Sequence, residues 1–105
     1  MEIKEIRSKI NKILADFGLT ADKMYLFGSR AGKRYDRFSD YDILVVVSQN
    51  ISVETKKMLS KKIRSTFAQF HVDMDILIKS SKEVKKSQFR TGNVVKQAIS
   101  EGILL

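Results

Sequence analysis

The sequence contains no cysteine and a single histidine among its 105 residues. Without cysteine, disulfide bonds and thiolate metal sites are excluded, and one histidine argues against a zinc site. The longest apolar run, residues 43–47, is far shorter than the roughly 20 residues that a membrane-spanning helix needs. The first residues lack the apolar region of a signal peptide. We therefore expect a cytoplasmic protein that makes no contact with a membrane.

The length and the apolar fraction indicate one domain. A chain of 105 residues with 43% apolar residues can bury about 65% of its unfolded surface around a single core. No linker, repeat or low-complexity segment divides the sequence, so we predict one domain over residues 1–105.

Basic residues exceed acidic ones. Twenty Lys and Arg against twelve Asp and Glu give a net charge of +8, which favours an anionic partner such as a nucleotide, a nucleic acid or an acidic protein. A solvated helix face is the plainer explanation for one basic group, which consists of Lys56, Lys57, Lys61, Lys62 and Arg64.

The spacing of apolar residues predicts alternating helices and strands. Apolar residues recur every three or four positions from Ile3 to Phe17, and Gly18 follows as a stop signal, which predicts an amphipathic helix. Residues 23–27, 40–47 and 71–78 are predicted to be strands. The unbroken apolar run of the second strand indicates burial on both of its faces.

Capping signals predict further helices. Ser52 precedes a helix whose predicted core stripe consists of Leu59, Ile63, Phe67 and Phe70. Ser80 and Glu83 fit a capping box that begins another helix. Asn93 can cap the last helix, which we expect to end at Gly102.

The most informative motifs are a Gly-Ser turn and a pair of aspartates. Gly28 and Ser29 follow the first strand, and Asp40 and Asp42 flank Tyr41 where the second strand begins. Alternate residues of a strand share a face, so both carboxylates are expected to point the same way, about 7 Å apart, with Tyr41 on the opposite, core-facing side. Such carboxylates repel each other and lose hydration, so we expect a divalent cation with oxygen ligands between them.

These motifs resemble those of the nucleotidyltransferases of the DNA polymerase β superfamily, and within it the minimal, stand-alone type. That family carries a Gly-Ser turn, an Asp-x-Asp and a third carboxylate on a later strand. The resemblance covers nearly the whole chain and implies an α/β (α+β) nucleotidyltransferase fold, a small mixed β-sheet with helices packed against it. The resemblance favours Asp75 as the third carboxylate. Asp73 then either shares the metal or is a solvated acid at the start of the strand.

The resemblance also implies a division of roles at the site. The catalytic and metal-binding residues would be Asp40, Asp42 and Asp75, and the nucleotide-binding residues would be Gly28, Ser29 and Arg30. For Arg30, a solvated surface position is an equally open alternative. The implied cofactors are two Mg²⁺ ions and the implied substrate is ATP or another nucleoside triphosphate, whose nucleoside monophosphate passes to a hydroxyl with release of pyrophosphate.

Minimal nucleotidyltransferases are often paired with a small helical HEPN protein. The resemblance therefore implies a HEPN-family partner, an antitoxin role and transfer of AMP to a tyrosine of the toxin. One alternative is a binding module that neutralises its partner by contact, with vestigial catalysis. Another is direct nucleic-acid binding, although the sequence shows no groove-reading helix or RNA-stacking motif.

Overall fold

The computed structural model describes residues 1–32, 40–87 and 94–105. Within these ranges the helices and strands are α1 Ile3–Asp16, β1 Ala21–Phe27, β2 Tyr41–Val47, α2 Val53–Ala68, β3 Met74–Ser80, α3 Ser81–Ser87, α4 Val94–Glu101 and β4 Ile103–Leu104. A 3₁₀ turn, Gly28–Ala31, follows β1 directly.

The described strands form one mixed sheet in the order β3-β2-β1-β4. β2 pairs with β3 in parallel, whereas β1 pairs with both β2 and β4 in antiparallel fashion. The parallel pair is joined through α2, since parallel strands need a crossover connection. The predicted α/β architecture with a small mixed sheet is confirmed.

Helices cover both faces of the sheet. The first face packs against α1 and α2. The residues buried between the sheet and these helices include Ile6, Ile10, Leu26, Ile43, Val45, Leu59, Ile63, Phe67 and Met74. The second face packs against α3 and α4, and its buried residues are Tyr25, Leu44, Val46, Val84, Val95 and Ala98. We refer to these as the α1/α2 face and the α3/α4 face.

The central strand β2 is buried on both faces, as its apolar run predicts. Residues 43–47 are between 0 and 3% exposed. Each large apolar side chain buried in this way stabilises the fold by about 1.5–3 kcal/mol. The strand is therefore a rigid support for the polar residues at its first positions.

Side-chain caps fix the starts of two helices. The Ser52 Oγ accepts a hydrogen bond of 3.1 Å from the Thr55 N–H at the start of α2. At the start of α3, the Glu83 N–H donates to the Ser80 Oγ at 3.1 Å and the Ser80 N–H donates to the Glu83 Oε1 at 3.0 Å. The predicted capping box is thus confirmed, and β3 runs into α3 without a connecting loop.

The structure corrects two predictions near the end of α2. The helix ends at Ala68, and His71 adopts a left-handed backbone with φ of 59°. Because the helical spacing stops before Phe70, that ring leaves the core stripe and is 50% exposed, with the Lys9 Nζ 4.6 Å from its centroid. The same turn delays β3, which begins at Met74 instead of at His71.

The chain end forms a strand that the sequence did not reveal. Ile103 and Leu104 pair with Leu26 and Tyr25, and the Leu105 N–H donates to the Met24 carbonyl at 2.8 Å. Asn93, the predicted cap of α4, lies outside the described residues. None of the helices in the described ranges has the length and apolarity to cross a bilayer.

Candidate active site

Asp42 and Asp75 lie side by side near the starts of two parallel strands. Their Cα positions are register partners in the β2–β3 pair, as are those of Leu44 and Leu77 two residues further on. Leu44 and Leu77 pack on the α3/α4 face, and strand side chains alternate, so both carboxylates point to that same face. The structure thus brings together two of the three predicted acids, which are 33 positions apart in the sequence.

The two carboxyl groups influence each other's ionisation. Burial raises the pKa of the half-buried Asp42 carboxyl above its ordinary value of 3.8, and repulsion from Asp75, a hydrogen bond with the Asp75 side chain and repulsion from Asp40 raise it further. A hydrogen bond between two carboxyl groups requires a proton on one of them. The pair is therefore a place where a proton or another cation relieves repulsion between like charges.

Asp40 occupies a different environment from the other two acids. It precedes β2 and is exposed, although its charge still reaches Asp42. Among the described residues, no group of three or more His, Cys, Asp or Glu side chains lies close enough together to hold a metal ion. The metal-binding roles of Asp40, Asp42 and Asp75 stay predictions, and the Asp42–Asp75 pair is the part that the structure assembles.

Asp73, the alternative third acid, is exposed and lies one residue before β3. Its backbone carbonyl accepts a hydrogen bond of 3.0 Å from the Tyr41 N–H, which extends the parallel pairing to the start of β2. This contact involves the Asp73 backbone and gives its carboxylate no defined role.

Gly28 lies against the Asp42 carboxylate. Its φ is 69°, a left-handed conformation that favours glycine, and a Cβ at this position would lie 2.9 Å from Asp42 Cγ and closer still to Oδ2. Gly28 begins the 3₁₀ turn that also contains Ser29 and Arg30. The Gly-Ser turn and the aspartate motif, separate in the sequence, are therefore in contact at the site.

Arg30 lies over the ring of Tyr41. The distance from Arg30 Cζ to the ring centroid is 4.2 Å, within the range of a cation–π contact. Tyr41 packs against the α1/α2 core, as the alternation of β2 predicts. The structure thus gives Arg30 a contact on the side of β2 opposite to Asp42, and its predicted binding to phosphate stays a prediction.

A cavity of about 460 Å³ opens beside the glycine turn, and it is lined by Phe27, Gly28, Ala31, Gly32, Gln97 and Glu101. Two of these lining residues adjoin Asp42: Phe27 is its register partner in the β1–β2 pair, and Gly28 lies against its carboxylate. Gln97 and Glu101 come from α4, where the Gln97 Nε2 donates to Glu101 Oε2 at 3.3 Å. Sequence reasoning missed both residues, because two polar residues four positions apart are common on any exposed helix face.

Comparison with known proteins places this geometry in a family. Residues 8–101 match the family described as polymerase beta, nucleotidyltransferase. A protein of Methanocaldococcus jannaschii, MJ0141, which is provisionally named a protein adenylyltransferase, is 36% identical over 76 residues, or 72% of this chain and 70% of the relative.

Solved structures share the fold. A mutant of a toxin–antitoxin pair, MntA with HpeT, matches with a TM-score of 0.58 and 25% identity over 94% of this chain and 70% of that chain. The complex of a tri-AMPylated Shewanella oneidensis HEPN toxin with its MNT antitoxin matches with a TM-score of 0.54 and 22% identity over 96% and 69% of the two chains. The match over residues 8–101, together with the archaeal relative, shows that this chain belongs to the polymerase β nucleotidyltransferase family.

Proposed function

We propose that this nucleotidyltransferase uses Mg²⁺ and transfers AMP from ATP to a hydroxyl group of a partner protein. The observation that carries the proposal is the contact of three elements at one point: Asp42 and Asp75 are register partners, and Gly28 lies against the Asp42 carboxylate. A glycine turn that phosphates can approach closely, next to paired acids that can hold a cation, suits transfer of a nucleotide.

The donor set fits a hard divalent cation. Carboxylate oxygens are the ligands that Mg²⁺ prefers. Burial and then repulsion from Asp75 raise the pKa of Asp42, and a bound cation would relieve the repulsion. Asp42 and Asp75 would hold the metal, with Asp40 joining them from the position just before β2. When bound, two Mg²⁺ ions would supply the positive charge that neutralises the phosphates and acidifies the attacking hydroxyl.

The residues of the chain have separate tasks in this proposal. The bare backbone of Gly28 allows the phosphates to approach the turn closely, and the Ser29 N–H would donate a hydrogen bond to them. Asp75, the more exposed member of the acidic pair, accepts the proton of the attacking hydroxyl. The cavity beside Gly28 accommodates the nucleoside.

The acceptor is proposed from the relatives. The archaeal relative is provisionally named a protein adenylyltransferase, and one structural neighbour is an MNT antitoxin bound to an AMPylated HEPN toxin. We infer that the partner of this chain is a HEPN-family protein, that a tyrosine of it accepts AMP, and that the chain acts as the antitoxin.

A transfer assay tests the proposal. The purified protein is incubated with ATP, Mg²⁺ and a candidate HEPN-family partner, and intact-mass spectrometry follows the addition of AMP to the partner. We expect the adduct with the wild-type protein and none with Asp42→Asn or with EDTA. An adduct of equal yield in EDTA would overturn the metal requirement.

The second candidate function is neutralisation of the same partner by contact alone. One observation favours it: the described part of the chain does not assemble three metal-ligand side chains. A complex that forms with the partner equally well for wild type and Asp42→Asn, with no AMP transfer by either, would establish this function instead.

A further inference from the structure

The α4 residues Gln97 and Glu101 place polar groups in the cavity beside the glycine turn. The Gln97 side-chain amide donates to Glu101 Oε2 at 3.3 Å, and both residues line the cavity with Phe27 and Gly28. A carboxylate has about four acceptor positions, so this hydrogen bond leaves Glu101 able to accept others. One wall of the cavity is therefore anionic and rich in acceptors.

The fold holds this wall firmly in place. Val95 and Ala98 are 2 and 0% exposed and anchor α4 on the sheet. At the end of the helix, a Cβ on Gly102 would lie 2.9 Å from the Leu26 carbonyl oxygen, which shows how closely the chain approaches β1. The helix that carries the exposed side chains of Gln97 and Glu101 is therefore anchored beside the cavity.

Charge determines which end of a nucleotide meets which wall. A triphosphate is repelled by the Glu101 carboxylate, whereas the glycine turn and the Mg²⁺ ions that Asp42 and Asp75 would hold favour the phosphates. The nucleoside end must then lie toward α4, next to the ring of Phe27. Within the nucleoside, a carboxylate can accept hydrogen bonds from ribose hydroxyls or from a base amino group.

We propose that Gln97 and Glu101 are specificity-determining residues that recognise hydrogen-bond donors of the nucleoside. This inference rests on the proposed function, because it concerns the same nucleotide site. It adds the orientation of the substrate and two residues that contact its sugar or base. The Gln97 amide contributes both a donor and an acceptor to this recognition.

A comparison of two ligands tests the proposal. Calorimetry in Mg²⁺ measures the binding of ATP and of inorganic tripolyphosphate, which has the phosphates but no nucleoside, to wild type and to Glu101→Gln. We expect Glu101→Gln to bind ATP about tenfold more weakly, the value of one charge-assisted hydrogen bond, and to bind tripolyphosphate no more weakly than wild type. Loss of a negative charge alone would strengthen the binding of both ligands.

A matched control separates this effect from net charge. Glu54→Gln makes the same substitution at an exposed residue in the first turn of α2, away from the cavity, and should leave both affinities unchanged. Gln97→Ala should weaken ATP binding in the same direction as Glu101→Gln. Unchanged or tighter ATP binding by Glu101→Gln, in a variant that melts like wild type, would overturn the inference.

Further ligands distinguish the sources of the donors. If Glu101 accepts from the ribose hydroxyls, wild type and Glu101→Gln should bind 2′,3′-dideoxy-ATP with equal affinity. If Glu101 accepts from the base amino group, the two proteins should instead bind purine riboside triphosphate with equal affinity. If wild type binds neither ATP nor tripolyphosphate, the proposed function itself is overturned. If wild type binds both ligands and Glu101→Gln does not weaken ATP binding selectively, only the inference about Gln97 and Glu101 is overturned.

Discussion

Gly28 and Asp42 are packed so closely that no side chain fits between the glycine Cα and the aspartate carboxylate. A Cβ on Gly28 would lie 2.9 Å from Asp42 Cγ, and the glycine has a φ of 69°. The two residues come from different elements, the turn after β1 and the start of β2, so the contact fixes the turn against the acidic pair.

Replacement of Gly28 by alanine should harm both stability and nucleotide binding. Gly18→Ala is a matched control, because Gly18 has nearly the same φ of 71°, but a Cβ added there would meet no atom within 4 Å. The left-handed backbone should cost each variant about 1–2 kcal/mol of unfolding free energy. Urea unfolding should show a larger loss for Gly28→Ala, and calorimetry should show weaker ATP binding for that variant alone. Equal losses in the two variants would mean that Asp42 moves aside freely.

Asp42→Asn should leave the metal-free protein at least as stable as wild type. Folding raises the pKa of Asp42 above 3.8, so protonation of this carboxyl stabilises the folded state. The stabilisation is fully present below pH 3.8 and is lost as the pH rises through the folded-state pKa. At pH 7 the ionised carboxylate is repelled by Asp75 and Asp40, and asparagine removes that repulsion. Thermal melts in EDTA should therefore show an advantage for Asp42→Asn at pH 7 that disappears near pH 4.

Asp73→Asn is the control for those melts, because Asp73 is exposed and should change little at either pH. A fall of several degrees in the melting temperature of Asp42→Asn would identify the acidic pair as a structural device and remove the main support for a catalytic site.

The third acid can be assigned by comparing two aspartates that lie two positions apart in the sequence, Asp73 and Asp75. Asp75 is the register partner of Asp42, whereas Asp73 lies before β3. If Asp75 accepts the hydroxyl proton, Asp75→Asn should abolish AMP transfer while ATP binding, measured by calorimetry, persists. Asp73→Asn should reduce transfer only mildly. The reverse pattern would move the catalytic role to Asp73.

Glu83 should stabilise the protein in a pH-dependent manner. Lys56 Nζ lies 2.6 and 2.8 Å from its two carboxylate oxygens. Burial opposes ionisation of Glu83, but the hydrogen bonds from Lys56 and the Ser80 N–H and the charges of Lys56 and Lys79 outweigh it, so its pKa lies below 4.5. Such a group stabilises the fold above pH 4.5, and the stabilisation is lost as the pH falls through the folded-state pKa.

Glu83→Gln tests this effect. Because the Glu83 side chain is 39% exposed, solvent screening limits the expected loss at pH 7 to about 1 kcal/mol or less. Urea unfolding should show a smaller loss at pH 3 than at pH 7. A double-mutant cycle with Lys56→Met should give the interaction energy of the pair, and a loss that is the same at both pH values would assign the effect to packing.

The parts of the structure that depend on local sequence were predictable. The Ser80–Glu83 capping box and the buried strand at residues 43–47 follow from the local sequence pattern alone. The pairing of Asp42 with Asp75 was expected only through the family resemblance, because local sequence leaves Asp73 and Asp75 as alternatives. Phe70 was misplaced because apolar spacing does not reveal where a helix ends. The Gln97–Glu101 wall was missed because it exists only once α4 is packed on the sheet, and two polar residues on a helix face carry no mark of what they will border.

The pairing of β4 with β1 has a mechanical consequence for the cavity. Tyr25 and Leu26 hold the chain immediately after α4, and Phe27 and Gly28 follow them directly along the backbone. The α4 side of the cavity and its glycine-turn side are therefore both attached to the same short, hydrogen-bonded stretch of β1. The position of α4 relative to the glycine turn therefore depends on the hydrogen bonds between β1 and β4.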